Sequence, residues 1–433
     1  MIEQILFILL LGVAVFLTWK RFRYIRRNIF LGRKFEASGS SRERWATMAR
    51  VALGQSKMMV LWVPALMHFF IYVGFIIINI EVLEIVIDGI FGTHRIFSIL
   101  GGFYDFLIGS FEILALLVLI ACVVFLARRN IIRLRRFHMK EMTSWPKSDA
   151  NIILFVEVTL MTAFLSMNAC DLLLQNAGAA HYVQAGSFPV SSLMTPIFEG
   201  LSQENLVFTE RILWWYHIIG ILAFLVYVTY SKHLHIILAF PNTYYSKLVP
   251  AGQLANVPSV TREVKLMLDP SADPYAAPVA EGPPEKFGAR DVTDLTWKQL
   301  LDAYTCTECG RCSSVCPANL TGKLLSPRKI MMDTRDRLEE VGNAIDNGET
   351  YEGKSLLRDY ITEEELWACT SCNACTEACP VNIDPLGIII DLRRYLIMEE
   401  SKSPESITTV FNNIENNGAP WAFSPADRNN WTK

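Results

Sequence analysis

The sequence has no G-x-G-x-x-G fingerprint, no Walker loop and no nucleophile elbow. Nothing in it therefore points to nucleotide binding or acyl chemistry. Cysteine is scarce outside two short stretches: of ten, only Cys122 and Cys170 lie elsewhere. Both sit inside apolar runs, where a free thiol behaves as a small hydrophobe. Few charges fall in the middle of the apolar runs and no inverted repeat is visible, which argues against a five-helix transporter or sensor. Basic residues are nearly missing from 88–105 and 175–211, which carry one each, Arg95 and Arg211. The net charge of −3 names no partner by itself, and no nucleic-acid partner is expected.

The other eight cysteines form two copies of one pattern, C-x2-C-x2-C-x3-C-P. The copies are Cys306-Thr-Glu-Cys309-Gly-Arg-Cys312-Ser-Ser-Val-Cys316-Pro317 and Cys369-Thr-Ser-Cys372-Asn-Ala-Cys375-Thr-Glu-Ala-Cys379-Pro380. This is the spacing of proteins that hold two 4Fe-4S clusters. Three thiolates two residues apart wrap one corner of a cubane, and the fourth, before proline, serves the other cluster. The expected sets are Cys306, Cys309, Cys312 and Cys379 for one cluster, and Cys369, Cys372, Cys375 and Cys316 for the other. Structural zinc prefers two C-x2-C pairs and would leave thiols over. A disulfide framework fits worse, because the membrane topology places these thiols on the reducing side.

Hydrophobic residues make up 52 % of the chain, and mean hydropathy is positive. Five apolar runs, near 2–19, 58–87, 106–127, 152–174 and 212–238, are long enough to cross a bilayer. The first lacks a basic start and a small-residue cleavage site, so it reads as a span rather than a signal peptide. Eleven Lys or Arg lie in 20–57 and seven in 128–150. Positive loops stay inside, so the N-terminus is expected outside and the cysteine motifs in the cytoplasm.

An ionisable residue within a span is a functional candidate. Of seven histidines, His68, His217 and His235 fall in or beside spans. On a continuous fifth helix, His217 and His235 share a face but stand about 27 Å apart along the axis, too far for one haem. Depth favours His68 with His235 as the two imidazole ligands of a b-type haem, with an offset of about 7 Å left to helix tilt. The competing reading is a set of hydrogen-bonded histidines at a membrane boundary. One haem is expected. His217 would serve a second, with His94 or His181 as its partner. His233, two residues from His235, points to a different side. Glu81, Glu84, Asp88 and Glu112 lie toward the outer ends of their helices and Glu157 toward an inner end. Such carboxylates can relay protons to a quinone, although a solvated helix end is the plainer reading for Glu84 and Asp88.

The membrane half resembles the haem b gamma subunit of respiratory nitrate reductases and the membrane subunit of heterodisulfide reductase. The resemblance rests on His68 in LMHFFIYVGF, His217 in WWYHIIGIL and His235 in SKHLHII. Helix two carries Ile78 and Asn79, not a second histidine, at the depth that matches His217. The cluster half is similar to heterodisulfide reductase cluster subunits and to membrane oxidoreductases for electron-transfer flavoprotein. There the matching stretches are CTECGRC, CPANLTGKLLSPRKIMMDTRD and WACTSCNACTEACPVNID. The tail GAPWAFSPADRNNW resembles the point where fused relatives run on into cysteine-rich CCG repeats. By resemblance, the partners are a cytoplasmic CCG-domain subunit and a flavoprotein.

The expected architecture is all-α. A five-helix transmembrane haem b bundle, 1–240, is followed by a proline-rich connector, 241–290. A cytoplasmic α-helical ferredoxin domain with two 4Fe-4S clusters, 291–400, and a partner-docking tail, 401–433, complete it. Helices are expected at Arg262–Leu268, Asp294–Tyr304, Pro327–Ala344, Glu363–Trp367 and Pro385–Glu399. Arg311, Lys323, Arg328 and Lys329 read foremost as a solvated face. The expected function is electron transfer between a membrane quinone and a cytoplasmic redox partner, in a bacterial or archaeal cytoplasmic membrane. The alternative is a relay and membrane anchor without its own quinone site. No catalytic residue is assigned.

Overall fold

The computed structural model describes residues 1–250, 252–271 and 286–433. Pro274, Pro278, Pro283 and Pro284 of the connector lie outside the described residues. The regular structure among the described residues is helical, with only two isolated bridge pairs and no strand. They pack as two units. The first comprises Met1–Arg27, Trp45–Tyr244 and Tyr304–Gly310, and the second Asn28–Arg44, Tyr245–Ala303 and Arg311–Lys433.

The long helices are α1 (Ile2–Ile29), α3 (Trp62–Phe91), α4 (Gly102–Asn130), α5 (Trp145–Asn176) and α6 (Gln203–Val228), with a short α2 (Ser41–Met48) after the first. Each long helix carries an apolar window that can cross a membrane. At 1.5 Å per residue, even 20 residues cover the ~30 Å hydrocarbon core. Neighbours in sequence pack as neighbours in space: α3 on α4, α4 on α5, and α5 on α6. Their common core joins Ile108, Phe111, Ala115 and Val118 of α4 to Leu160, Phe164 and Leu165 of α5. Two glycines permit the close approach. A Cβ on Gly74 would lie 2.6 Å from Val118, and one on Gly220 would lie 2.5 Å from Leu160. Small residues at such crossings are how membrane helices gain packing without a hydrophobic drive between them.

The fifth span ends earlier than its apolar run suggests. It stops at Val228, and Thr229 turns its hydroxyl back onto the Val226 carbonyl. Ser231 then caps a new turn by accepting a hydrogen bond from the His233 amide, and α7 (His235–Tyr244) follows. The continuous helix expected over 212–238 is therefore corrected. His217 and His235 belong to different helices, and the shared-face argument between them fails. His217 lies mid-helix instead of opening the span.

The second unit contains α8 (Pro258–Leu268), α9 (Trp297–Thr305), α10 (Arg311–Val315), α11 (Pro317–Leu320), α12 (Pro327–Asn347), α13 (Glu363–Trp367), α14 (Ala374–Ala378), α15 (Pro385–Met398) and α16 (Glu405–Asn417). The helix expected from Arg262 begins at Pro258, where proline suits the first turn. The amphipathic α12 buries Ile330, Met331, Leu338 and Val341 and packs on α15, which buries Leu386, Ile389, Leu392 and Leu396. Residues 28–44 join this unit. The Arg33 amide donates to the Leu295 carbonyl at 2.7 Å, and the Trp297 amide to Arg33 at 3.0 Å.

Candidate functional site

The two cysteine loops share one backbone design. Glu308 and Gly310 in the first loop, and Ser371 and Asn373 in the second, all take positive φ, from 55° to 72°. These are equivalent positions, each just before or just after the second cysteine. Alternating handedness curls a chain so that its amides turn toward a common centre. The sulfurs receive some of those amides. Ser371 N–H donates to Cys369 Sγ at 3.4 Å, and Ile383 N–H donates to Cys379 Sγ at 3.3 Å.

After each curl a one-turn helix carries the third cysteine, Cys312 at the start of α10 and Cys375 in α14. These two helices pack on each other. The fourth cysteine ends each helix and precedes proline, which cannot continue it. Through this pairing Cys316, from the first motif, becomes a neighbour of Cys369. Burial raises the Cys369 thiol, the charges of Cys316 and Cys372 add to the rise, and Arg393 opposes it. Burial also pushes Cys375 up to about 12, with Asp384 and Cys369 adding. Cys316 and Cys375 are buried and Cys372 is exposed. Of the other expected set, Cys306 and Cys309 belong to the first unit, and Cys312 and Cys379 to the second. No three His, Cys, Asp or Glu side chains among the described residues converge on a single-ion site.

A second group lies in the first unit, where the chain leaves α6. The rings of His68 and His235 are 6.4 Å apart between centroids, and His233 stands 5.4 Å from His235. His235 Nδ1 contacts the Lys232 carbonyl at 3.2 Å, and His68 Nδ1 contacts Gln55 Oε1 at 2.9 Å. Oxygen acceptors at Nδ1 place the ring proton there and leave Nε2 as the basic nitrogen. Burial pushes His233 down to about 3, with His235 and His68 adding, and burial also lowers His235. Burial thus favours the neutral form of His233 and His235, the form that binds metals. The reading of His233 as pointing away is corrected, since it belongs to this group. His217 does not. It is buried against Phe164 at 5.8 Å, with Nδ1 3.1 Å from the Leu160 carbonyl. His94 and His181 pair with each other at 5.6 Å.

Between the histidines and the first cysteine loop lies Lys232. Its ammonium forms an ion pair with Glu308 and donates to the Pro146 carbonyl. Asp149 accepts from the Lys232 amide at 3.1 Å and from the Tyr227 hydroxyl at 2.6 Å. Only 9 % of the Lys232 side chain and 2 % of that of Glu308 are exposed. Sequence reasoning missed this pair, because Glu308 looked like a spacer between two ligands.

Comparison with known proteins agrees with the loop geometry: residues 305–383 match the family described as a 4Fe-4S dicluster domain. The chain carries a 4Fe-4S dicluster domain. It is 29 % identical to the probable iron-sulfur-binding oxidoreductase FadF of Bacillus subtilis, over 99 % of this chain and 60 % of that protein. It is 28 % identical to the EtfAB:quinone oxidoreductase of Syntrophomonas wolfei, over 84 % of this chain and 50 % of that one. A probable membrane-anchored ferredoxin of Chromohalobacter salexigens is 35 % identical over 34 % of this chain and 24 % of its own length. The chain thus spans about half to three-fifths of the length of the first two relatives. Its homologues are iron–sulfur oxidoreductases, and no solved structure matches it.

Of the four basic residues expected on a solvated face, Arg311, Arg328 and Lys329 do not lie on one. Arg328 is fully buried and Arg311 is 8 % exposed. Lys329 pairs with Asp333 at 2.6 Å and Glu365 at 3.0 Å, and of these four Lys323 alone is exposed. Arg393 caps the second loop. It donates to the carbonyls of Leu366 and Cys369 and stands over the Trp367 ring.

The acidic residues near the far ends of α3 and α4 are mostly engaged. Arg95 donates to Asp171 at 2.6 Å, to Asn168 at 2.9 Å and to Tyr104 at 3.1 Å. Tyr104 donates to Glu84 at 2.9 Å, and Glu84 also accepts the Phe97 amide. Glu112 accepts from Asn168 and from the amides of Val190 and Ser191. Asp88 holds the turn after α3 through the Arg95 and Ile96 amides. Glu81 differs: it is 3 % exposed, and its Oε2 has no hydrogen-bond partner in the protein.

Proposed function

We propose that the chain is a membrane electron-transfer subunit that exchanges electrons between a quinone and a cytoplasmic redox partner. One haem b and two 4Fe-4S clusters are its carriers. The observation that supports this most is the Lys232–Glu308 ion pair. It fastens the histidine turn to the loop that bears Cys306 and Cys309. Two groups of ligand-type side chains are thereby held next to each other within one unit.

The cysteines are read as two crossed sets: Cys306, Cys309, Cys312 with Cys379, and Cys369, Cys372, Cys375 with Cys316. The nearness of Cys316 to Cys369 supports the crossing. His68 and His235 are the haem ligands in this reading. Their ring centres stand 6.4 Å apart, a spacing at which both imidazoles could hold one iron. Bound haem would supply a one-electron iron couple. The protein's own work is to hold the rings neutral, fix their tautomers through Gln55 and the Lys232 carbonyl, and keep water away. His217 is left as a candidate for a second site.

The charge pattern supports an N-terminus outside and the dicluster domain in the cytoplasm. The partner is read as a CCG-domain subunit with a flavoprotein, by the resemblance above and by the name of the EtfAB:quinone oxidoreductase relative. The exposed Trp421, Phe423 and Trp431 of the tail suit a docking role.

The test is anaerobic reoxidation. Purified protein with reduced clusters is mixed with a short-chain naphthoquinone or benzoquinone, and the clusters are followed by EPR. Reoxidation by at least one of them is expected. Clusters that stay reduced with both, yet react with ferricyanide, contradict a quinone-linked role.

A further inference from the structure

The first unit contains a cavity of about 680 Å³ at the end of α3 opposite His68. We infer that this cavity binds a quinone headgroup, with the Glu81 carboxyl as its hydrogen-bonding partner. The inference rests on the quinone-linked reading above and adds a place and a residue to it.

The volume falls in the ~300–1,000 Å³ range of small-molecule sites. Its lining combines the aromatic rings of Phe7, Trp214 and Trp215 with polar groups that include Glu81, His94, Arg95 and Arg211. That mixture suits a flat, apolar ring bearing oxygens at its edge. Indole faces offer stacking, and the polar groups offer hydrogen bonds. The cavity lies among ends of membrane helices. Its neighbour α1 buries only 11 % of its apolar window, so a lipid-soluble ligand meets an apolar surface beside the entrance.

Glu81 is the side chain that calls for a ligand. Of the other carboxylates that line the cavity, Glu84, Asp88 and Asp171 are held by the loop amides, Tyr104 and Arg95 described above, Glu210 accepts from Tyr182 and Arg211, and Glu3 is exposed. The donors of Arg95 go to Asp171, Asn168 and Tyr104, not to Glu81. A buried polar atom without a partner is destabilising, and a native protein keeps one for a reason. A carboxyl group suits both members of a quinone couple. Ionised, it accepts from a quinol hydroxyl; protonated, it donates to a quinone carbonyl.

Backbone strain marks the same place. Arg95 at φ 51° and His181 at φ 82° both line the cavity in the left-handed region. Side-chain-bearing residues rarely rest there, and such strain concentrates at ligand sites. Along α3, Glu81 is thirteen residues from His68, or about 20 Å. The cavity is thus separate from the histidine group.

The experiment is photolabelling. Full-length protein in lipid nanodiscs is illuminated with an azido-naphthoquinone or an azido-benzoquinone, with and without excess unlabelled quinone, and labelled peptides are mapped by mass spectrometry. Competed label on the Met1–Phe7 or Trp214–Trp215 peptides is expected. Glu81→Gln should weaken competition about tenfold, the loss of one charged hydrogen bond. Gln4→Trp, which fills the cavity from the chain end, should abolish the label. Both variants should keep wild-type cluster absorbance and thermal unfolding. Competed label elsewhere in the chain, unaffected by either variant, overturns the site while the quinone reading stands. No competed label from either reagent anywhere in the chain overturns that reading and the site together.

Discussion

Lys232 and Glu308 lie 76 residues apart in sequence and form a buried ion pair. Taking both from water is costly, and removing one deprives the other of a buried counter-charge. Lys232→Met should therefore destabilise the protein by roughly 3–5 kcal/mol, read as a drop in thermal midpoint. Adding Glu308→Leu should restore part of that loss, because an apolar pair avoids one desolvation cost while Asp149, 3.9 Å from the ammonium, still loses its partner. A single and a double variant that unfold alike would show that the pair does not couple. The histidines make a second residue-scale prediction. His68→Ala and His235→Ala should each abolish bound haem b, measured by its absorbance. Full haem retention in either variant would sink the pairing.

At the scale of elements, the helices were legible wherever one physical signal dominated. Five apolar runs became five long helices, and the proline-led segments at Pro327 and Pro385 became α12 and α15. What misled was the end of α6. The interruption Thr229–Ser231 is three residues long, and apolar residues resume at once, so the run reads as unbroken. Only the side-chain caps of Thr229 and Ser231 reveal the stop, and with it the place of His233 beside His235. The buried Arg328 and Arg337 were equally hidden. Arginine reads as surface in a sequence. Its burial here depends on distant partners such as Asp291, which pairs with Arg337 at 2.6 Å. The cysteine loops were legible as ligands but not as shapes, since their left-handed residues include Glu308 and Ser371, which no turn rule singles out. Helix packing gives an element-scale prediction. Gly74→Leu would drive a side chain into Val118, and overpacking of this kind costs about 1–3 kcal/mol. Thermal unfolding in detergent measures it; an unchanged midpoint would mean that α3 and α4 can part without loss.

At the scale of the whole molecule, the proposed crossing of the cysteine sets would tie the two sequence repeats together. Cys316→Ser should damage the cluster held with Cys369, Cys372 and Cys375, and lower the non-haem iron by about four atoms. EPR of the reduced variant should keep the signal of the other cluster. Loss of the Cys306-containing cluster instead would mean that each motif serves itself. The charge asymmetry of the loops makes a topological prediction. A cysteine placed in 88–105 should react with an impermeant maleimide from outside the cell, and one in 128–150 should not.

The central claim is that one chain holds haem b and two clusters together. Its most direct test is a pyridine haemochrome assay with iron and acid-labile sulfide counts on the detergent-purified protein. The account predicts one haem b with about eight non-haem irons and eight sulfides per chain. Intact clusters with no haem would contradict it and reduce the membrane helices to an anchor.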